Sequence, residues 1–203
     1  MNISLARITR IFFGLLALSS VLFEIVVLLG EGAFHPVNFF SYYTVLSNLL
    51  AGVFLIYFGV TSNTSSKTAL VRGAITLYMA MTGVIFAVLL AGLEGVRLTA
   101  VPWNNLVLHY IMPLIIVGDW LLSPPKKKIS VRAIWLWITF PLLYVVYSLT
   151  RGAIVNWYPY PFLNPVQSSY PQVAITSLVL AVFVIALAFA IRQFAGIRDR
   201  KKR

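Results

Sequence analysis

A hydroxyl becomes a nucleophile when an imidazole stands within hydrogen-bond reach to take its proton, and a third group that orients the ring completes the set. This 203-residue chain carries such parts as Thr44, His109 and Asn105. Asn105 and His109 are i, i+4 neighbours on a helix and can touch. An Asn amide oxygen that accepts one ring N–H fixes the tautomer and leaves the other nitrogen for a hydroxyl proton. Ser41, Thr44, Ser47 and Asn48 follow i, i+3, i+6 and i+7 spacing, which confines them to one stripe of an otherwise apolar helix. Glu24 and Asp119 are the other ionisable residues set inside apolar runs, where such groups are functional hypotheses by default. His35 and His109 are far apart in depth and the carboxylates form no ligand set, so neither a metal nor another cofactor is expected.

The elements that must hold these residues follow from composition. The chain is 60% hydrophobic and 10% charged, with no cysteine, whereas soluble domains average about 25% charged residues. That excludes an ordinary soluble enzyme, a disordered tail and a disulfide-stapled module; thiolate catalysis is excluded as well. A net charge of +11 would in isolation suggest nucleic acid. Here the basic residues fall between long apolar runs, so a bilayer explains the surplus and no nucleic-acid partner is expected. A membrane helix needs about 20 apolar residues, and six segments qualify: 8–29, 39–60, 70–92, 101–122, 131–150 and 171–191. The expected fold is all-α, a polytopic bundle of six transmembrane helices forming a single domain over 1–203. The first apolar run is longer than the roughly 7–15 residues of a signal-peptide core and reads as a retained helix.

Fourteen of the sixteen basic residues fall on one side of this topology, leaving Arg97 and Arg151 on the other. The positive-inside rule places both termini in the cytoplasm. The basic C-terminal run, Arg198 to Arg203, is expected against anionic lipid. Counting about 1.5 Å of rise per residue, Glu24, Thr44, His109 and Tyr144 reach one level about 8–9 Å beneath the outer surface. Asp119 falls near the cytoplasmic end and is expected to pair with Lys126–Lys128 or cap the interface. Gly14, Gly52, Gly73, Gly83 and Gly92 suit close helix contact, while Pro113 and Pro141 should bend their spans or free a carbonyl. The loop 158–171, with its Tyr-Pro pairs and nearby Trp157, reads either as a lid or as an aromatic belt.

The segment Phe39-Phe40-Ser41-Tyr42-Tyr43-Thr44-Val45-Leu46-Ser47-Asn48-Leu49-Leu50, then Asn105-Leu-Val-Leu-His109 and Met112-Pro113, resembles the androgen-induced membrane-protein family. The stretches Asp119-Trp-Leu-Leu-Ser-Pro-Pro-Lys126 and Tyr158-Pro-Tyr-Pro-Phe-Leu-Asn164-Pro165 resemble its bacterial six-span branch. The resemblance implies an intramembrane lipid hydrolase that cleaves fatty acid esters of hydroxy fatty acids with a threonine and a histidine, which map onto Thr44 and His109. It further implies a bacterial cytoplasmic membrane as the location. Two departures stand out: Leu106 to Leu108 occupy positions where the vertebrate pattern has a second His, and Asn164 stands where bacterial relatives often carry Asp.

The leading expectation is therefore an ester hydrolase with Thr44 as nucleophile and His109 as base, acting on a membrane lipid or fatty acid ester. Asn105 would orient the ring, Asn48, Tyr144 or Tyr147 would donate to the oxyanion, Ser41 would support the stripe, and Glu24 would act as an outer-shell group or acid. Taken singly, a membrane His is more often a helix–helix hydrogen bond and a span Thr more often bonds its own i−4 carbonyl. The rival readings are a non-enzymatic lipid- or small-molecule-binding protein and, last, a proton-coupled transporter using Glu24 and His109.

Overall fold

The computed structural model describes residues 4–93, 98–126 and 128–195. Arg97, Lys127 and the basic run from Arg198 lie outside the described residues. Six helices are long and apolar enough to cross a membrane: Leu5–Gly30, Tyr43–Thr61, Ser66–Leu90, Pro102–Leu122, Arg132–Val155 and Tyr170–Gln193. No strand occurs among the described residues, so the protein is all-α with six spans, an integral membrane protein by length and composition.

The boundaries differ from the hydropathy reading where local chemistry intervenes. The second span begins at Tyr43 rather than near residue 39, because Pro36–Phe39 forms its own helical turn. The chain then breaks through i→i+3 bonds from Ser41 N to Asn38 O and from Tyr42 N to Phe39 O. The third span starts at Ser66 because the Ser65 hydroxyl caps it, accepting the Thr68 N–H at 3.2 Å. The fifth span runs on to Val155 and stops where Asn156 turns left-handed, at φ 52°. Pro141 is carried inside that helix.

The chain divides into two compact units, Met1–Pro125 and Lys126–Arg203. In the first unit the first and second spans run antiparallel along a glycine seam. A Cβ on Gly14 would lie 2.7 Å from Ile56 Cγ1 and 2.8 Å from Gly52 O, and one on Gly59 would meet Ile11 Cγ1 at 2.6 Å. The third and fourth spans meet where Gly83 faces Pro113, with a Cβ–Cβ approach of 2.9 Å if Gly83 carried one. Between these pairs, Ala17, Ala51, Leu55, Ile75, Met79, Val107, Met112 and Ile116 form a buried apolar cluster.

One end of this unit is closed by ions. Asp119 does not depend on the lysines that follow it: Oδ1 accepts from Arg10 Nε at 2.7 Å and Oδ2 from Arg72 at 2.8 Å. Both guanidiniums also lie over the Phe58 ring, at 4.2 and 4.7 Å from its centroid. The reason is position on the helices: residues 10, 72 and 119 face inward from three spans, whereas Lys126 and Lys128 belong to the following loop. Four spans are thus tied at one level.

In the second unit the fifth and sixth spans pack together, and Arg192 Nε donates to Ile129 O at 2.9 Å. The loop between these spans folds back on the fifth. The Tyr158 ring occupies the space a side chain at Gly152 would need. Arg151 lies over Trp157, and Asn164 caps the following turn by accepting from Val166 N at 3.0 Å.

Two outcomes follow for thermal unfolding of the detergent-solubilised protein. Gly14→Ala should lower Tm by several degrees, since overpacking against a backbone carbonyl costs about 1–3 kcal/mol; Gly118→Ala, with nothing within 4 Å, should leave it unchanged. Asp119→Ala should destabilise by about 3 kcal/mol, as two guanidiniums lose their shared partner, while Lys126→Ala should have no measurable effect.

Candidate active site

Thr44 is the second residue of the second span, fixed by the break at 40–42 that starts the helix there. His109 sits in the fourth span where the winding changes. Val107–Ile111 forms a π turn, in which Met112 N–H bonds Val107 O five residues back. Pro113 has no N–H to give to His109 O, and its ring crowds that carbonyl; a widened turn accommodates the proline without breaking the span. The third span ends in a matching π turn, Phe86–Leu90, where Ala91 N bonds Phe86 O at 2.7 Å. The two irregular turns face each other, with the Phe86 ring stacked on His109 at a centroid distance of 4.1 Å and 26°.

The hydroxyl and the imidazole meet. Thr44 Oγ1 lies 3.1 Å from His109 Nε2, between residues that are 8% and 4% exposed. On the far side of the ring, Nδ1 lies 3.2 Å from Asn105 O. A carbonyl only accepts, so Nδ1 bears the hydrogen and a neutral ring presents Nε2 as an acceptor to the Thr44 O–H. That is the hydrogen-bond order required of a general base beside a nucleophile.

Residue 105 fixes the tautomer through its backbone and not, as its side chain suggested, through its amide. Asn105 Oδ1 is buried and has no hydrogen-bond partner among the described residues. A helical carbonyl four residues back is already where a His Nδ1 can reach it, so the side chain is redundant.

The rest of the polar stripe braces the pair. Asn48 Nδ2 donates to Thr44 O at 2.9 Å and to Leu108 O at 3.1 Å, joining the backbones that carry the hydroxyl and the imidazole. With both amide hydrogens engaged, Asn48 has no donor left for an oxyanion, contrary to the role expected for it. Ser47 Oγ shares a hydrogen bond with Thr82 Oγ1 at 2.9 Å, tying in the third span. Ser41 lies in the break before the helix and donates to Val37 O at 2.6 Å, so it does not belong to the stripe.

Glu24 is engaged elsewhere. Its Oε2 accepts from Asn104 Nδ2 at 2.5 Å and its Oε1 from Ala100 N. Asn104 precedes His109 by five residues, about 7.5 Å nearer the start of the fourth span by helical rise. Asn104 also donates to Ser20 O at 3.2 Å and is fully buried. Asn104, Thr82 and Phe86 also belong to the polar layer or line its imidazole, and no spacing in the sequence singles them out. Asn105 and His109 keep the i, i+4 relation of a helix, and Asn104, one position earlier, turns to the first span, a contact between helices that no spacing within the fourth span signals. Tyr144 is buried and Tyr147 is 44% exposed, both on the fifth span in the second unit.

If the backbone carbonyl holds the ring, Asn105→Ala should leave the tautomer unchanged. Nitrogen-15 NMR of labelled histidine should show His109 protonated at Nδ1 in both proteins; a switch to Nε2 in the variant would return the orienting role to the amide. The chain matches no family model, no curated protein and no solved structure.

Proposed function

We propose that the first unit is an intramembrane carboxylic ester hydrolase in which Thr44 is the nucleophile and His109 the general acid and base. The observation that carries this reading is the buried Thr44 Oγ1–His109 Nε2 contact of 3.1 Å, with the opposite ring nitrogen held by Asn105 O. Thr44 Oγ1 attacks the ester carbonyl as His109 Nε2 takes its proton. The imidazolium, stabilised through Nδ1–H, then protonates the leaving alcohol. Water cleaves the acyl-threonine and restores the pair. The resemblance to the androgen-induced membrane-protein family favours fatty acid esters of hydroxy fatty acids as substrates, and a site among the apolar helices of the first unit suits an acyl chain arriving from the bilayer. The positive-inside rule would place the reaction in the outer leaflet of a bacterial cytoplasmic membrane, with the basic C-terminal run on anionic lipid across from it.

Phe86, flat against His109, supports a second reading: a packed polar clamp between helices in a lipid-binding protein without turnover. One experiment separates the two. The esterase should hydrolyse a p-nitrophenyl acyl ester in detergent and be labelled at Thr44 by a fluorophosphonate. Thr44→Ala should abolish both signals, and His109→Ala should lower kcat by about 10²–10⁴, with Tm preserved. Thr44→Ser should retain activity, because serine keeps the hydroxyl without the β-branch that restricts χ1. Full activity in both alanine variants would remove the pair from the mechanism, and an unlabelled, inactive wild type would leave only the clamp.

A further inference from the structure

An ester hydrolase buried among apolar helices needs water for its second half-reaction, and the polar groups outside the Thr44–His109 pair form a candidate path. Among the described residues, four buried side-chain oxygens of the first unit have no hydrogen-bond partner: Ser20 Oγ, Asn48 Oδ1, Asn104 Oδ1 and Asn105 Oδ1. Ser20, Asn48 and Asn104 are each 0% exposed. An unpaired buried polar atom typically costs about 1–3 kcal/mol, and native structures meet such atoms with ordered water or an ion.

The placement of these oxygens is consistent. Asn104 bonds Ser20 O and Glu24 Oε2, and Glu24 Oε1 bonds Ala100 N in the segment that precedes the fourth span. One helical turn further along, Leu108 O accepts from Asn48, which also holds Thr44 O. The glycine seam sets the register of the first two spans, with Leu18 against Gly52. That register brings Ser20 opposite the turn that carries Asn48. The polar atoms therefore run from the loop at Ala100, through Glu24, Asn104 and Ser20, to Asn48 and the reactive pair. Past that level the interior is apolar, as Ala17, Ala51 and Leu55 show.

We infer that Ser20, Asn48 and Asn104 line a water-holding vestibule that leads from the Ala100 loop and supplies the hydrolytic water. The inference rests on the esterase reading for its use, but not for its existence. In the step it serves, water adds to the carbonyl of the acyl-Thr44 ester while His109 Nε2 takes one water proton. The C–O bond to Thr44 Oγ1 then breaks, the proton returns to Oγ1, and the carboxylic acid departs. Asn104 and Ser20 act as positioning residues for the water and touch neither the acyl group nor the nucleophile.

Two measurements test this, and they fail separately. The chain has no cysteine, so single-cysteine variants give one thiol each. Ser20→Cys should be protected by silver ion, a probe that reaches thiols through water, when the folded protein is treated and then denatured and alkylated. Ala17→Cys, one turn away in the apolar cluster, should not. Protection of neither thiol, or of both alike, overturns the vestibule whatever the activity. For the kinetic role, Asn104→Leu and the milder Ser20→Ala should slow steady-state ester turnover about tenfold while fluorophosphonate labelling of Thr44 and the acylation burst keep their wild-type rates. A parallel fall in labelling and turnover overturns the water-positioning role. A wild type that neither labels nor turns over removes the esterase and with it this use of the water, while the silver result still decides whether the vestibule is wet.

Discussion

Hydrocarbon cannot satisfy a polar side chain, so the hydroxyls, amides and imidazole inside these helices must be met by the protein or by water held within it. That constraint organises the first unit. His109 is held at Nδ1 by a carbonyl of its own helix and faces Thr44 at Nε2. Asn48 bridges the two backbones that carry them, and Ser47 reaches Thr82. Three helices, the second, third and fourth spans, are locked in rotation and register by groups that have no alternative in lipid. The same satisfaction leaves the imidazole in the protonation pattern of a base, so structural bracing and chemical poise come from one set of bonds.

Helix irregularity does the aiming. A regular fourth helix would have to reconcile Pro113 with the carbonyl of His109, and the π turn at Val107–Ile111 resolves that conflict where the imidazole is mounted. The π turn of the third span sets Phe86 against the ring face. Gly83, beside Pro113, lets those spans approach. At the other end the shared carboxylate of Asp119 ties the first, third and fourth spans, over an aromatic ring of the second. A polar layer near one end and an ionic clasp at the other enclose the apolar cluster between them, which fixes the level at which Thr44 and His109 sit.

Glu24 shows how depth and contact differ. It falls within the polar level counted from the sequence, yet its carboxylate turns toward the start of the fourth span and bonds Asn104 and Ala100. Equal depth places residues in a layer of the bundle; azimuth decides which of them meet, and azimuth is a property of packed helices.

The amino-acid sequence by itself determined that the chain is all-helical with six spans, because length and apolarity are local quantities that the bilayer dimension selects. It also determined that Thr44 and His109 share a level, because helical rise is constant. The tertiary structure alone decided that they touch, that a backbone carbonyl and not an Asn amide orients the ring, that Asn48 has no donor to give, and that Asp119 belongs to Arg10 and Arg72. Each of these depends on helix rotation, on a π turn that shifts phase by a fraction of a turn, or on partners some fifty to a hundred residues away. Neither periodicity nor composition encodes such relations, since they are fixed when helices close against one another and every polar group must be met.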